Sequence, residues 1–183
     1  MSTTDPLQLA FYKGVGGKFG ALQFNFRQPH YYCPSCKTRV YEVWTAPSHC
    51  TKCDYSKRLK SREGAVFMEI SNTTAPNVYD WEHSTTFALS INDMAKILMV
   101  LEGQFSEMDI PHDPGAKSDD AGKVMKMLSI SSPKGVKEGC LIRLSVTENG
   151  VKTQSYMVPL DGPELKRLGI CIRTAIPASL SWS

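Results

Sequence analysis

The sequence contains no run of apolar residues that approaches the roughly 18 needed for a membrane-spanning helix. Its first residues, MSTTDPLQLAFYKG, have neither the basic start nor the apolar core of a secretory signal, and they are too poor in arginine for an organellar transit peptide. We therefore expect an intracellular protein without a membrane partner, in the cytoplasm or a viral replication compartment. An organelle is the alternative if a transit peptide has already been removed.

Catalytic motifs are also missing from the sequence. The segment GVGGKFG is rich in glycine like a phosphate-binding loop, but it lacks the Walker spacing and a serine or threonine after its lysine. No Ser/His or Cys/His arrangement is legible. The nearest acid–base candidates, His112 with Asp113 and Asp119 with Asp120, lie among glycine and proline residues that favour an exposed turn. We expect neither an enzyme nor a small-molecule substrate.

The charge of the chain is small overall but unevenly distributed. The 183 residues are 42% hydrophobic and 21% charged, with a formal net charge of +3, which suits one globular domain with a small insertion. Between Lys37 and Arg62, however, seven lysines and arginines are opposed only by Glu42 and Asp54. Such a local excess of positive charge attracts phosphate groups.

Four of the six cysteines form the pattern C-x2-C, thirteen residues, C-x2-C: Cys33, Cys36, Cys50 and Cys53. This spacing brings four thiolates around one tetrahedral zinc, so we predict one structural Zn²⁺ per chain. Two disulfides or four free thiols are the alternatives, and His49 is the nearby substitute ligand. A catalytic zinc would keep an open position for water, which four cysteines do not leave. Cys140 and Cys171 are expected in the core.

The cysteine segment lies between two predicted strands. In ALQFNFRQ the apolar residues Leu22, Phe24 and Phe26 alternate with polar ones, and GAVFMEIS alternates in the same way. An insertion between consecutive strands is tolerated at a loop tip. We therefore predict one domain over residues 1–183 that carries a zinc-ribbon insertion at 31–60.

The remaining sequence predicts helices and further strands. A capping box at Ser90 and Asp93 starts the first helix, and Gly103 ends it. An exposed loop is predicted from Asp109, and Asn149-Gly150 predicts a tight hairpin. The second helix is predicted to start after Asp161 and to stop at Pro177. The apolar helix stripes are Ile91, Met94, Ala95, Leu98 and Leu101 in the first helix, and Leu165, Leu168, Ile172 and Ile176 in the second.

Together these elements predict an α+β domain of antiparallel sheets joined by helices. The first helix has four apolar residues close together, which favours a contact between subunits, with burial in the core as the alternative. These residues are Ile97, Leu98, Val100 and Leu101.

Several segments of the chain resemble the Whirly proteins of plant organelles. The segments, in order, are VYDWEHSTTFALS, HDP at 112–114, GKVMKML, LSV at 144–146, VPLDGPEL and PASLSW. A looser match includes FYKG and GKFGAL, which resemble a lysine-rich family motif broken by extra residues. The resemblance covers residues 78–182, and the trypanosome mitochondrial RNA-binding proteins share the same fold.

The resemblance implies two roughly perpendicular four-stranded antiparallel sheets with two helices. It also implies a homo-oligomer, with a tetramer favoured, and a single strand of nucleic acid lying across the sheets and between subunits. The four-cysteine ribbon and the broken lysine motif depart from the family pattern.

Binding of single strands requires cations for phosphates and flat side chains for bases, each stacked base contributing about 1–3 kcal/mol. Alternating polar residues on a strand are also found on ordinary solvated faces, Phe19 lies among glycines, and Trp44 either packs on the cysteine turns or contacts a base. The candidate contacts are Lys13, Lys18, Phe19, Gln23, Asn25, Arg27, Arg39, Trp44, Lys123, Lys126 and Arg143.

We therefore predict a single-stranded DNA-binding protein that coats and protects strands in replication, recombination or repair, largely without sequence specificity. The alternatives are a factor that binds and anneals single-stranded RNA, and a zinc-ribbon protein-interaction module in transcription.

Overall fold

The computed structural model describes residues 7–14, 19–27, 29–41, 46–62, 64–116, 122–132 and 139–179. These residues form thirteen strands, two α-helices and one 3₁₀ turn. The elements are β1 (Leu7–Tyr12), β2 (Ala21–Arg27), β3 (His30–Tyr32), β4 (Arg39–Val40), β5 (Lys60–Arg62), β6 (Ala65–Ser71), β7 (Thr73–Ala75), β8 (Val78–Tyr79), the 3₁₀ turn Trp81–His83, β9 (Thr85–Leu89), α1 (Ile91–Leu101), β10 (Glu107–His112), β11 (Val124–Ser131), β12 (Gly139–Glu148), β13 (Val151–Asp161) and α2 (Gly162–Ser179).

The first large sheet has the antiparallel order β1-β2-β6-β9. Along its strands, buried side chains alternate with more exposed ones as the sequence predicts, because successive side chains of a strand point to opposite faces. Leu22, Phe24 and Phe26 of β2 are buried, whereas Gln23 and Asn25 are half-buried and Arg27 is exposed. The inner face of β2 therefore forms core, and its outer face is polar.

The cysteine segment leaves the first sheet after β2 and returns at β6. These two strands pair directly, from Ala21 opposite Ser71 to Arg27 opposite Ala65. Between them, β4-β3-β5 form a separate three-stranded sheet that we call the ribbon, residues 30–62. The ribbon thus extends from one end of the β2-β6 pair without interrupting the sheet.

The second large sheet is an antiparallel meander, β10-β11-β12-β13. Its tightest turn is at Asn149 and Gly150, where both residues have positive φ, 50° and 81°, as a two-residue hairpin of this kind requires. This hairpin is confirmed. The loop predicted from Asp109 is wrong at its start, because β10 continues through His112 in pairing with β11.

Both helices start with reciprocal hydrogen bonds. In α1, Ser90 and Asp93 form the predicted capping box, and Gly103 with φ +74° follows the helix end. In α2, Asp161 and Glu164 exchange backbone-to-carboxylate hydrogen bonds of 2.9 and 3.0 Å. The predicted stop at Pro177 is wrong, because α2 includes this residue and ends at Ser179. None of the described helices is long and apolar enough to cross a membrane.

One hydrophobic core joins both large sheets and both helices. Ile97 and Val100 of α1 are buried in it, so the core covers these two side chains within one chain. Ala95, which the helix stripe included, is exposed. The class is therefore α+β with two four-stranded antiparallel sheets and two helices, as predicted.

Candidate metal centre and nucleic-acid interface

The first cysteine pair lies on a tight turn that follows β3. The amide of Lys37 donates to the carbonyl of Cys33, and the amide of Cys33 donates to the carbonyl of Thr38, both at 2.9 Å. Lys37 has φ +60°, the left-handed conformation that closes such turns. These bonds direct the side chains of Cys33 and Cys36 toward the same point.

The second cysteine pair forms a similar turn. The amide of Cys50 donates to the carbonyl of Tyr55 at 2.9 Å, and the amide of Lys52 lies 3.3 Å from the sulfur of Cys50. Amides that face sulfur stabilise thiolates, which are the form of cysteine that binds metals. The backbone therefore prepares Cys50 as a ligand.

The four sulfur atoms of Cys33, Cys36, Cys50 and Cys53 lie within 4.8 Å of one another. Two of the separations are 3.6 Å, Cys33 to Cys53 and Cys36 to Cys50. A tetrahedron with metal–sulfur bonds of about 2.3 Å has edges of about 3.8 Å. The cluster therefore has the dimensions of a four-thiolate metal site, and all four cysteines are free of disulfides. His49 is exposed and does not belong to the cluster.

Hydrogen bonds differentiate the thiols. The hydroxyl and backbone of Thr38 lower the pKa of Cys36 to about 6. A backbone hydrogen bond from Tyr55 acts to lower the pKa of Cys53, but partial burial and hydrogen bonds with the other cysteines outweigh it and raise the pKa to about 11. The thiol of Cys36 therefore ionises more readily than that of Cys53.

A groove of about 520 Å³ lies where the ribbon meets the outer face of the first sheet. Its sheet wall consists of β2 and β6, and its ribbon wall consists of β3, β4 and the first cysteine turn. The described lining residues include three cations and three ring-bearing side chains and no acid. These residues are Arg27 and Phe67 on the sheet wall, and His30, Tyr32, Lys37 and Arg39 on the ribbon wall.

Arg27 and Phe67 form the sheet wall as a pair. The guanidinium carbon of Arg27 lies 4.7 Å from the ring centre of Phe67, within the range of cation–π contacts. Phe67 lies on the outer face because its neighbours Val66 and Met68 are buried. The ring therefore holds the arginine side chain on the sheet surface next to the groove.

Of the predicted contact residues that the structure describes, two line the groove, Arg27 and Arg39. Gln23 and Asn25 share the outer face of β2 with Arg27 and are linked by a hydrogen bond of 3.1 Å. This polar row extends the cationic end of the sheet along β2.

Two predicted contact residues near the first strands have other partners. The ammonium of Lys13 lies 2.6 Å from a carboxylate oxygen of Glu164 and 3.7 Å from one of Asp161, so acids at the start of α2 compensate its charge. Phe19 is half-buried, and its carbonyl accepts a hydrogen bond from Thr73. Neither residue lines the groove.

The remaining described candidates belong to the second sheet and are not brought together. Arg143 is exposed on the outer face of β12, opposite Ser129. Lys126 lies on the same face of β11 as the buried Leu128, and partial burial lowers the pKa of Lys126. Lys123 is exposed in the turn before β11. Lys18 and Trp44 lie outside the described residues.

Five described residues of the groove were not predicted as contacts from the sequence: Ala65 and Phe67 on the sheet wall, and His30, Tyr32 and Lys37 on the ribbon wall. Phe67 could have been found, because the alternation of GAVFMEIS places it opposite the buried side chains. His30, Tyr32 and Lys37 have no such pattern, since they reach the groove through the folding of the ribbon against the first sheet.

Comparisons with known proteins agree with this architecture. The family model described as Whirly transcription factor matches residues 39–168. The mitochondrial single-stranded DNA-binding protein WHY2 of Arabidopsis thaliana is 30% identical over 73% of this chain and 55% of its own length. The chloroplastic single-stranded DNA-binding protein WHY1 of the same plant is 25% identical over 67% of this chain and 46% of its own. The chain thus spans about half the length of these relatives.

The fold comparison extends over the entire chain. The crystal structure of WHY1 from Arabidopsis thaliana superimposes with a TM-score of 0.73 and 21% identity, covering 100% of this chain and 89% of that one. At this level of identity the similarity shows the fold alone. The family model, however, matches well over half of the sequence, and the two four-stranded sheets agree with it; the chain belongs to the Whirly family.

Proposed function

We propose that this protein binds single-stranded DNA, largely without sequence specificity, and coats and protects exposed strands in replication, recombination or repair. The observation that carries the proposal is the groove where the ribbon meets the first sheet, in which Arg27, Lys37 and Arg39 lie beside Phe67 and Tyr32. The relatives WHY2 and WHY1 are both named as single-stranded DNA-binding proteins, which supports single-stranded DNA as the ligand.

The chemistry of the groove suits an unpaired strand better than a duplex. Cations neutralise phosphates in any nucleic acid, but planar side chains bind bases only when the faces of the bases are free. The polar row of Gln23 and Asn25 continues from Arg27 along β2 and offers hydrogen bonds to a strand that leaves the groove. Such contacts bind and protect a strand and involve no catalytic step.

The metal in the proposal is one structural Zn²⁺ per chain, held by Cys33, Cys36, Cys50 and Cys53. Support comes from the four sulfurs within 4.8 Å and from the preference of zinc for tetrahedral thiolate sites. Bound zinc would supply a closed four-coordinate crosslink between the two cysteine turns. It would leave no position for a substrate.

The proposal includes a homo-oligomer inside the cell, with a tetramer favoured by the family. A groove of about 600 Å³ between α1 and α2 combines apolar residues, among them the exposed Ile170, with the charged side chains of Glu102 and Arg173, and such a mixed surface is suited to another subunit. The relatives are named as mitochondrial and chloroplastic, which favours an organelle. Native mass spectrometry tests the number of zinc ions and of subunits together.

The deciding experiment compares polymers at several salt concentrations. Fluorescence anisotropy is measured with labelled oligo-dT, a mixed DNA strand, the same mixed sequence as RNA, and the corresponding duplex. We expect similar affinities for the two DNA strands, much weaker binding of duplex, and a steep loss of affinity with salt. Tighter binding of RNA would favour the annealing factor, and no binding of either strand at low salt would favour the protein-interaction module.

A further inference from the structure

We infer that the groove between the ribbon and the first sheet is a nucleotide subsite assembled by the metal-bound ribbon. In this subsite Arg27 and Phe67 contact an unpaired base, and Lys37 and Arg39 contact the adjoining phosphate. The inference rests on the proposed function and adds a site that includes the cysteine segment, the part of the chain that departs from the family pattern.

The sheet wall is suited to a base. The Arg27 guanidinium lies 4.7 Å from the Phe67 ring centre, so the two groups present a fixed cationic and aromatic surface. Unpaired bases stack on aromatic rings and on arginine guanidinium planes alike. This wall does not depend on the ribbon, because Val66 and Met68, on either side of Phe67, are anchored in the main core.

The ribbon wall is suited to a phosphate. Lys37 and Arg39 are both exposed cations, and both line the groove opposite the sheet. The two cations of the ribbon wall match the phosphate of a nucleotide, and the planar surface of the sheet wall matches its base. The groove volume of about 520 Å³ lies within the range of about 300–1,000 Å³ that is typical of small-ligand sites.

The position of the ribbon wall depends on the cysteine cluster. Lys37 directly follows Cys36, and its amide is bonded to the carbonyl of Cys33. Arg39 pairs with Tyr32, the residue before Cys33. Among the described residues of the ribbon, the buried members of its cluster are Cys33, Cys50 and Leu59. A core of this size does not hold a fold without a metal, so loss of the metal removes one wall and leaves the other.

The test combines two pairs of variants with matched controls. R27A/F67A alters the sheet wall, and K37A/R39A alters the ribbon wall while all four cysteines remain. K152A/R167A removes one lysine and one arginine at exposed positions that line neither this groove nor the one between α1 and α2, and F105A removes an aromatic ring that is 46% exposed outside the groove. Each variant is checked for metal content and for its melting temperature.

The readouts are affinity for oligo-dT with a single 2-aminopurine, its fluorescence change, and the salt dependence of binding. For R27A/F67A we expect about 5- to 150-fold weaker binding and a smaller fluorescence change, as loss of one stacked base predicts. For K37A/R39A we expect the slope of log affinity against log salt to become shallower by about 1.4, relative to K152A/R167A. The F105A variant should bind like wild type.

Metal dependence is tested with C36S and with wild type treated with a chelator. Both should bind oligo-dT as weakly as K37A/R39A does, while the main core stays folded. Adding zinc back should restore the affinity of the chelator-treated wild type and not that of C36S. Wild-type protein that fails to bind any single strand would overturn the proposed function itself. Wild-type binding with groove variants indistinguishable from their controls would overturn the subsite alone, as would unchanged affinity after the metal is removed.

Discussion

The ammonium of Lys126 donates a hydrogen bond of 2.7 Å to the backbone carbonyl of Thr86. Lys126 belongs to β11 of the second sheet and Thr86 to β9, the edge strand of the first sheet. The bond therefore links the two large sheets, and partial burial lowers the pKa of the lysine. A residue predicted from the sequence to contact nucleic acid thus has its charged end on a backbone carbonyl of the same chain.

The first prediction concerns this link. We expect K126M to lower the free energy of unfolding by about 1 kcal/mol, because the methionine keeps the apolar stem and loses one hydrogen bond. Affinity for single-stranded DNA should change less than twofold. Denaturant titration measures the change in stability, and fluorescence anisotropy measures the change in affinity. The control is K152M, which makes the same substitution at an exposed position of β13. Unchanged stability with strongly reduced affinity would instead make Lys126 a contact residue.

The second prediction concerns metal removal. The ribbon has its own small cluster around Cys33 and Cys50, separate from the main core. We therefore expect a chelator to unfold residues 30–62 while both four-stranded sheets remain folded. Limited proteolysis should then cleave within the ribbon, and amide NMR signals of β11 and β12 should persist. Cooperative unfolding of the entire chain would contradict the independence of the ribbon.

The third prediction concerns acid stability. Burial alone would raise the pKa of Asp93, but hydrogen bonds from the hydroxyl and amide of Ser90 and from His112 outweigh it, so the pKa is lowered. Because the pKa of Asp93 is lower in the folded state than in the unfolded state, the ionised carboxylate stabilises the fold fully above the pKa of the unfolded state, which is about 4. This contribution is lost as the pH falls through the pKa of the folded state.

We expect D93N to be about 1 kcal/mol less stable than wild type at pH 7, because it weakens the capping box and the contact with His112. The difference should shrink below pH 4, where wild type also loses the charge. Urea unfolding at pH 7 and pH 3 measures it. A difference that is equal at both pH values would show that the charge of Asp93 is unimportant.

The fourth prediction contrasts two glycines. A Cβ on Gly20 would lie 1.8 Å from the carbonyl oxygen of Ser71, and the Gly20 amide donates to the carbonyl of Met157 on β13. We expect G20A to destabilise the protein by at least about 2 kcal/mol, because the backbone itself must move. In α2, a Cβ on Gly169 meets only Leu101 at 3.9 Å.

We expect G169A to stabilise the protein by about 0.5–1 kcal/mol through its higher helix propensity. Thermal unfolding of the two variants together provides the measurement. Equal effects of the same sign would contradict the close contact at Gly20.

Local patterns in the sequence predicted local structure well. The alternation in β2 and β6, the capping box at Ser90 and the Asn149-Gly150 hairpin all depend on residues close in the chain. The family could also be recognised, because its segments keep their order. The error at Pro177 has a different origin, since the final residues of α2 are held by the core and Ser179 is buried.

The sequence by itself determined the four-cysteine cluster, the strand faces and the two capped helices, because each depends on short-range spacing. Only the tertiary structure decided which cations share a surface. It pairs Lys13 with Glu164, turns Lys126 toward Thr86, and brings Arg27 and Arg39 to one groove although the entire first cysteine turn separates them in the chain. Long-range contacts set the partners of a charge, and residue spacing alone does not specify these contacts.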